Sequence, residues 1–534
     1  MDMILWKQPS TESGFRFGRV ISAMTLVVAV SLVAGLTFGG PVVFEIGSHR
    51  QLFLDDHLLD AARAQRVTPT LNPPQSIRRV LKPDQPWEAL GFIFYASVVD
   101  NGKTIQLYHG SYDAEKKKHF LLATSTDGFH WEQPELGLKK FQGSTKNNIL
   151  PLDAVEVSVI RDSHSSPEKR YRLLFTNHWP DPARAGVYAA SSADGIAWNV
   201  TPERMLPFVP DSQPSFFWDE SLQKYSIYLR AWNPHLRAVS RMAVDDLEKP
   251  WPYDSSVPPY FVRGKDKIPT FSREWPIVMG PDEKDTPFGQ LYTSVAMRYP
   301  YAPHVYVAFP AVFLNFRAPE WKERAVSSSD GTFDVQLATS IDGITWKRWH
   351  QPYVSGGLQD GLDLRLVSMG TGMVRRGNLL LQYFVGWPHT HGLPGVWDRD
   401  PATRAPWLKK DLGGIYCATQ RLDGFVSMDA GDESGTITTV PLVFKGDRLL
   451  LNLHVAGTGI AKVAILDQKG DALPGFSTDD CSAMNEDAVN LEVHWKEGVS
   501  LSALAGKPVR LQFMLRNAKL YAFQFIPAKD PASK

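Results

Sequence analysis

Short runs rich in aromatic and β-branched residues recur along most of this chain, each closed by a turn signal, and helical periodicity is scarce. The first set is Phe92–Val99, Thr104–Tyr108 and Phe120–Thr124, with Asp100-Asn101-Gly102 as a hairpin turn. The order returns as Val155–Ile160, Tyr171–Phe175 and Val187–Ala190, then as Ser215–Trp218, Tyr225–Arg230 and Leu236–Met242. It returns again as Leu291–Met297, Val305–Phe309 and Phe333–Ala338, and last as Gly372–Arg375, Leu379–Phe384 and Gly414–Thr419. Each set ends on one phrase, an Asp at a tight turn usually followed by Trp. The clear copies are Ser125 to Trp131, Ser192 to Trp198 and Ser340 to Trp346, and the worn ones hold Asp245 and Asp423. Repetition on this scale means one supersecondary unit repeated around an axis or along a stack.

Four strands to a unit and five units predict an all-β fold, a five-bladed β-propeller over residues 85–430 whose blades bury their faces against neighbours. Past residue 430 the Asp-Gly-Trp phrase stops. Runs at Thr436–Val443, Leu449–Val455, Ala461–Leu466, Asn490–Val493, Val509–Leu515 and Leu520–Phe525 predict a C-terminal β-sandwich over 431–528. Residues 46–84 form a lead-in segment. Asp127, Asp194 and Asp342 are expected to form turns, because Asp-Gly is a preferred two-residue hairpin turn.

From Val20 to Phe44 no residue is charged, and Lys7, Arg16 and Arg19 precede the run. That length spans a bilayer and the flank is that of an export signal, so residues 1–45 are expected to be a signal peptide or a membrane anchor. The chain is then exported, periplasmic, extracellular or anchored, and meets the membrane only through this segment. Lys plus Arg and Asp plus Glu are both 57, which argues against a broad nucleic-acid surface. Only Cys417 and Cys481 occur, too few for a disulfide scaffold or a cysteine zinc site, and their pairing stays open.

With an exported propeller followed by a sandwich, the chain resembles the propeller glycoside hydrolases, including families 32 and 43, and more closely a group of secreted bacterial proteins in that superfamily. The stretches that carry the resemblance include Leu52 to Leu59, Trp87-Glu88, Trp131 to Leu138, Asn147-Asn148-Ile149, Arg170-Tyr171-Arg172, Trp218-Asp219, Gly475 to Cys481 and Leu520 to Phe523. It implies cleavage of glycosidic bonds in plant or algal glycans. The chain departs from family 32 in lacking Asn-Asp-Pro-Asn and Glu-Cys, and it has Arg161-Asp162-Ser163 in place of Arg-Asp-Pro. Fructosidase activity therefore does not carry over, and Asp162 is expected in a solvated hairpin loop.

Glycosidic cleavage usually needs two carboxyl groups flanking one bond. Innermost strands of a propeller converge on its axis, so acids that open them are the candidates: Glu88, Asp153, Asp211, then Asp282, Glu283 and Asp285, then Asp360 and Asp363. Glu88, Asp153 and Asp211 are the expected catalytic residues, Glu88 first because Trp87 beside it would desolvate its carboxyl and raise its pKa. Substrate-binding candidates are Asp56, Asp363, His389 and His391, with Trp179, Trp232 and Trp387 placed to stack on sugar rings. A lone His-x-His without further ligands specifies no metal, and no cofactor is expected beyond a structural calcium that such a scaffold can hold. Rival readings are a carbohydrate-binding protein on the same scaffold and a polysaccharide lyase, since fold alone does not set function.

Overall fold

A computed structural model describes residues 43–527 except 178–182, 234–235, 254–258, 264–265, 270–274, 317–329, 393–401, 403–405 and 407–409. Trp179 and nearly all of the apolar run from Val20 to Phe44 lie outside the described residues. Among the described residues no helix is long and apolar enough to cross a membrane.

The described central strands can be grouped into five sets, of which the fourth and fifth are joined in one eleven-stranded sheet where Phe333 pairs with Leu366. The first is Phe92–Asp100, Ile105–Tyr112 and Lys118–Ser125, and the second is Val155–Arg161, Tyr171–Asn177, Gly186–Ser192 and Asn199–Val200. The third is Ser215–Asp219, Lys224–Asn233, Leu236–Val244 and Ile277–Met279. In the fourth, Gly289–Leu291 and Ala296–Arg298 form an interrupted inner strand, followed by Tyr306–Ala308 with Ala311–Asn315, then Gly331–Ser340 and Lys347–Val354. Leu366–Met369 with Val374–Arg376, Leu379–Trp387 and Gly414–Arg421 make the fifth. Its outermost strand comes from far upstream: Ser76–Leu81 pairs antiparallel with Gly414–Arg421. An early strand clasped into the last set closes the ring, so opening it would break a ladder as well as a packing layer.

Alternation along the strands explains the packing. Leu107 faces a layer shared with Leu381, Tyr383 and Cys417 of the fifth set, whereas Tyr108 faces one shared with Leu173 and Phe175 of the second. Leu174 meets Ile227 and Leu229 of the third set, Tyr228 meets Tyr306 of the fourth, and Val307 and Leu337 meet Leu380 and Phe384 of the fifth. Both faces of each set are therefore buried, in the manner of a propeller.

The repeated phrase has one local geometry. Asp127 Oδ1 accepts the backbone N–H groups of Phe129 and His130 at 2.7 and 2.8 Å, while Ser125 Oγ accepts that of Gly128 at 2.8 Å. Asp194 with Ser192 and Asp342 with Ser340 repeat the arrangement. Gly128, Gly195 and Gly343 have φ of 87°, 78° and 69°, a left-handed conformation that favours glycine. Each glycine also meets a tyrosine from the preceding set. Tyr383 donates to Gly128 O at 2.9 Å and Tyr228 to Gly343 O at 2.8 Å, and a Cβ on Gly195 would lie 2.1 Å from the Tyr108 oxygen. Trp131 and Trp346 donate their indole N–H to the same glycine carbonyls, which explains the recurring Trp. Asp162 is buried rather than solvated: Tyr225 of the third set donates to it at 2.5 Å, so it ties neighbouring sets together.

The C-terminal sandwich is built on two long strands, Arg448–Leu466 and Arg510–Ile526, paired along most of their length. Gly457 and Asn517, with φ of 55° and 45°, mark the break in register where the sequence predicted separate strands. A bulge bends a strand without ending it, so each apparent pair of runs is one strand. The lead-in segment contributes Gln51–Leu52 and Thr68–Leu71 to this sheet. Arg50 donates to the fully buried Asp423 at 2.5 Å, and Tyr299 donates to the same carboxylate at 2.7 Å. The worn fifth copy of the Asp-Gly phrase thus joins propeller and sandwich. Cys417 and Cys481 are buried and form no disulfide.

Candidate functional site at the propeller axis

Inner strands meet at a polar floor. Gln213 donates to Ala96 O and Val157 O at 3.0 and 2.6 Å, bridging the first three sets. Thr371 bonds both Ser97 and Ser158 through its hydroxyl, and all three are buried. Just upstream of these floor residues stand Tyr95, Glu156, Asp211 and Tyr292, one from the start of each of four successive inner strands.

These four surround Arg230, which projects from the middle strand of the third set with a fully buried side chain. Its guanidinium donates to Asp211 at 3.0 Å and to Tyr292 O at 2.8 Å, and it lies 4.1 Å over the Tyr292 ring. Burial opposes its charge, but Tyr292, Asp211, Tyr95 and Glu156 outweigh that cost and raise its proton affinity. The Tyr95 phenol is pushed well above its usual range, by burial first and then by Tyr292 and Glu156. Glu156 and Asp211 both adopt left-handed φ, 54° and 58°, uncommon for residues other than glycine. At Glu156 the strand register slips between Val155 and Ser158. Non-glycine residues in such conformations concentrate at active sites.

Arg237 enters from the next strand. It lies 4.8 Å from the Trp232 ring and 5.1 Å from that of Tyr292, and donates to Gln290 Oε1 at 2.7 Å. Burial, and then the charge of Arg230, push its pKa down to about 10. Tyr292 and His391 are hydrogen-bonded through phenol oxygen and Nε2 at 3.1 Å. Trp387 is 5 % exposed and packs in the layer between the first and fifth sets, with His389 against its ring at 4.6 Å. Burial lowers the His389 pKa to about 4.

Of the residues expected from sequence, the structure brings together Asp211, Trp232 and His391, with Trp387 and His389 on a neighbouring strand end. Glu88 lies elsewhere, 1 % exposed in the turn Pro86–Glu88. Its Oε2 accepts the backbone N–H groups of Asp84 and Gln85 at 3.1 and 3.2 Å, and burial raises its pKa to about 7. Asp153 is exposed and paired with Lys139 at 2.8 Å. Asp363 is an exposed partner of Arg365 in the hairpin formed by Gly357–Gln359 and Leu362–Leu364. Asp56 is exposed beside Lys347, near the Asp342 turn. The strand Gly331–Ser340 runs from the axial end, where His391 N–H donates to Gly331 O, to that turn, so Asp56 sits at the opposite end. Asp282, Asp285 and His350 place ligand atoms within 4.8 Å of one another, but Arg348 lies among them and bonds both carboxylates.

Glu156, Tyr95, Arg230, Arg237 and Tyr292 were missed. Glu156 and Arg230 had a readable signal, a charge inside an apolar inner or middle strand, which burial makes costly unless it is partnered or used. Beside the axis a cleft of about 950 Å³ lies between the first and second sets, lined by Lys116, Lys118, Lys139, Phe141, Asp153 and Asn177 among others. It reaches Asp153, three residues before Glu156.

No family model and no curated protein matches the chain. Its structural likenesses are to glycosidases. It is similar to a thermostable family-43 glycoside hydrolase, at 13% identity and TM-score 0.38, over 63% of this chain and 93% of that one. It is also similar to a Bombyx mori family-32 β-fructofuranosidase, at 12% identity and TM-score 0.40, over 86% of this chain and 95% of that one. A third likeness is to a structure from the family of mannoside phosphorylases, GH130, that contains glycoside hydrolases targeting β-1,2-mannosidic linkages in Candida mannan. There the identity is 13% and the TM-score 0.39, over 68% of this chain and 96% of that one.

Proposed function

We infer that this protein is a glycoside hydrolase working at the propeller axis, with Glu156 and Asp211 as its two carboxyl groups. The observation that carries the reading is their place at the mouths of adjacent inner strands, both in left-handed backbone, with Arg230 bonded to Asp211. Hydrolysis needs one carboxyl to protonate the leaving oxygen and another to act as base or nucleophile. Asp211 accepts from Arg230 as a carboxylate, which fits the base or nucleophile, and Glu156 fits the acid. Trp232 offers a flat face beside them. Glycans of plants or algae are the proposed substrates, and the apolar run from Val20 to Phe44 supports export to meet them.

Glu156→Gln and Asp211→Asn, assayed on a panel of such glycans, test the reading. Each is expected to slow cleavage by about a hundredfold to ten-thousandfold, the usual contribution of a positioned acid or base. Wild-type rates in both variants would overturn it. The Tyr292–His391 pair favours a second reading, β-elimination from a uronic acid, which would leave an unsaturated product where hydrolysis leaves a saturated one.

A further inference from the structure

Arg237 is partly buried, yet among the described residues no carboxylate forms an ion pair with it. Among the described residues its partners are the Gln290 amide oxygen and the rings of Trp232, Tyr292 and Phe313. Its Nε is buried without a hydrogen-bond acceptor. A partly buried guanidinium in this state keeps donors that an anion can satisfy. Arg230, by contrast, is already committed to Asp211 and Tyr292 O.

The charges at the axis lead to the same conclusion. Acid–base hydrolysis requires one of Glu156 and Asp211 to carry a proton, and two guanidinium groups then face one carboxylate. Between these four groups one positive charge is left over, and Arg237 carries the guanidinium without an ion pair among the described residues. Its guanidinium lies over the Trp232 ring, so a group it binds belongs to a sugar seated at this end of the inner strands. The neighbouring cleft carries the same sign, with five lysines against the three carboxylates Asp113, Glu115 and Asp153 in its lining.

We propose that the axial site takes a glycan bearing an oxyanion, a uronic-acid carboxylate or a sulfate ester, which Arg237 binds directly while the lysine-lined cleft holds further acidic residues of the same chain. This rests on the reading of the axis as the substrate site. A guanidinium suits such a group because its fork of N–H donors matches paired oxygens.

The test is calorimetric binding to the full chain carrying Glu156→Gln, which blocks turnover. Three probes are used: an oligogalacturonide, the same oligosaccharide with its carboxyls reduced to alcohols, and a sulfated galactan oligosaccharide. At least one acidic probe is expected to bind about tenfold or more tighter than the reduced one. Adding Arg237→Met should erase that preference, and adding Arg237→Lys should keep part of it; the Lys variant retains a charge and answers the question if the Met variant fails to fold. Preference for the galacturonide or the galactan assigns carboxylate or sulfate. Equal binding of acidic and reduced probes, no binding of any probe, or a preference that survives Arg237→Met would each overturn the proposal. Cleavage by the wild-type chain is scored separately. Acidic binding without cleavage would sink the hydrolase reading alone, and cleavage of neutral glycans unaffected by Arg237→Met would sink this one alone.

Discussion

Replacing Glu88 with glutamine should make the stability of the protein less dependent on pH, in a calculable way. Burial raises the Glu88 pKa from 4.5 to about 7. Between those values the unfolded chain has released the proton and the folded chain still holds it, so wild-type stability falls as pH rises. The loss is complete above about pH 7 and absent below about 4.5. The gap between the two values corresponds to about 3 kcal/mol. Local geometry agrees, because Glu88 Oε1 and Gln133 Oε1 are both buried acceptors with no donor, and a proton on Glu88 would supply one. Glutamine carries that donor at every pH and keeps an oxygen for the N–H groups of Asp84 and Gln85. Urea unfolding of both proteins from pH 4.5 to 8 is the assay. Near pH 4.5 the two should match, and by pH 8 the variant should be more stable by up to about 3 kcal/mol. Parallel profiles across that range would show that Glu88 is charged at no cost in the fold, and the reasoning would fail.

Asp423→Ala should destabilise the protein by about 3–5 kcal/mol in the same assay, because it strands the Arg50 guanidinium at the junction of propeller and sandwich. Gly195→Ala should cost about 2 kcal/mol or more, from left-handed backbone at φ 78° and a Cβ only 2.1 Å from the Tyr108 oxygen; thermal melting would read it, and a neutral result would mean the turn can shift. Tyr383→Phe removes the hydrogen bond to Gly128 O and should cost about 1 kcal/mol while leaving glycan cleavage unchanged.

The scaffold was legible because its signals are local. Runs such as Phe120–Thr124 and Tyr171–Phe175 declare strands through residue type, and the observed Lys118–Ser125 and Tyr171–Asn177 extend them by only a few residues. The Asp-Gly-Trp phrase encodes its own hydrogen bonds within seven residues. Rules about acids at strand entrances reached Asp211 but selected Asp153 over Glu156. The register slips at Glu156, which is buried where Asp153 is exposed, and no local pattern announces it.

The order of residues, by itself, determined where most strands lie, the turn chemistry and the repeat, since each depends on contacts between near neighbours. Tertiary structure alone decided that Ser76–Leu81 closes the fifth set, that Asp423 meets Arg50, and that Arg230 meets Tyr292 beside Asp211. Those partners lie far apart in the chain, and they meet only when strands from separate units pack around one axis.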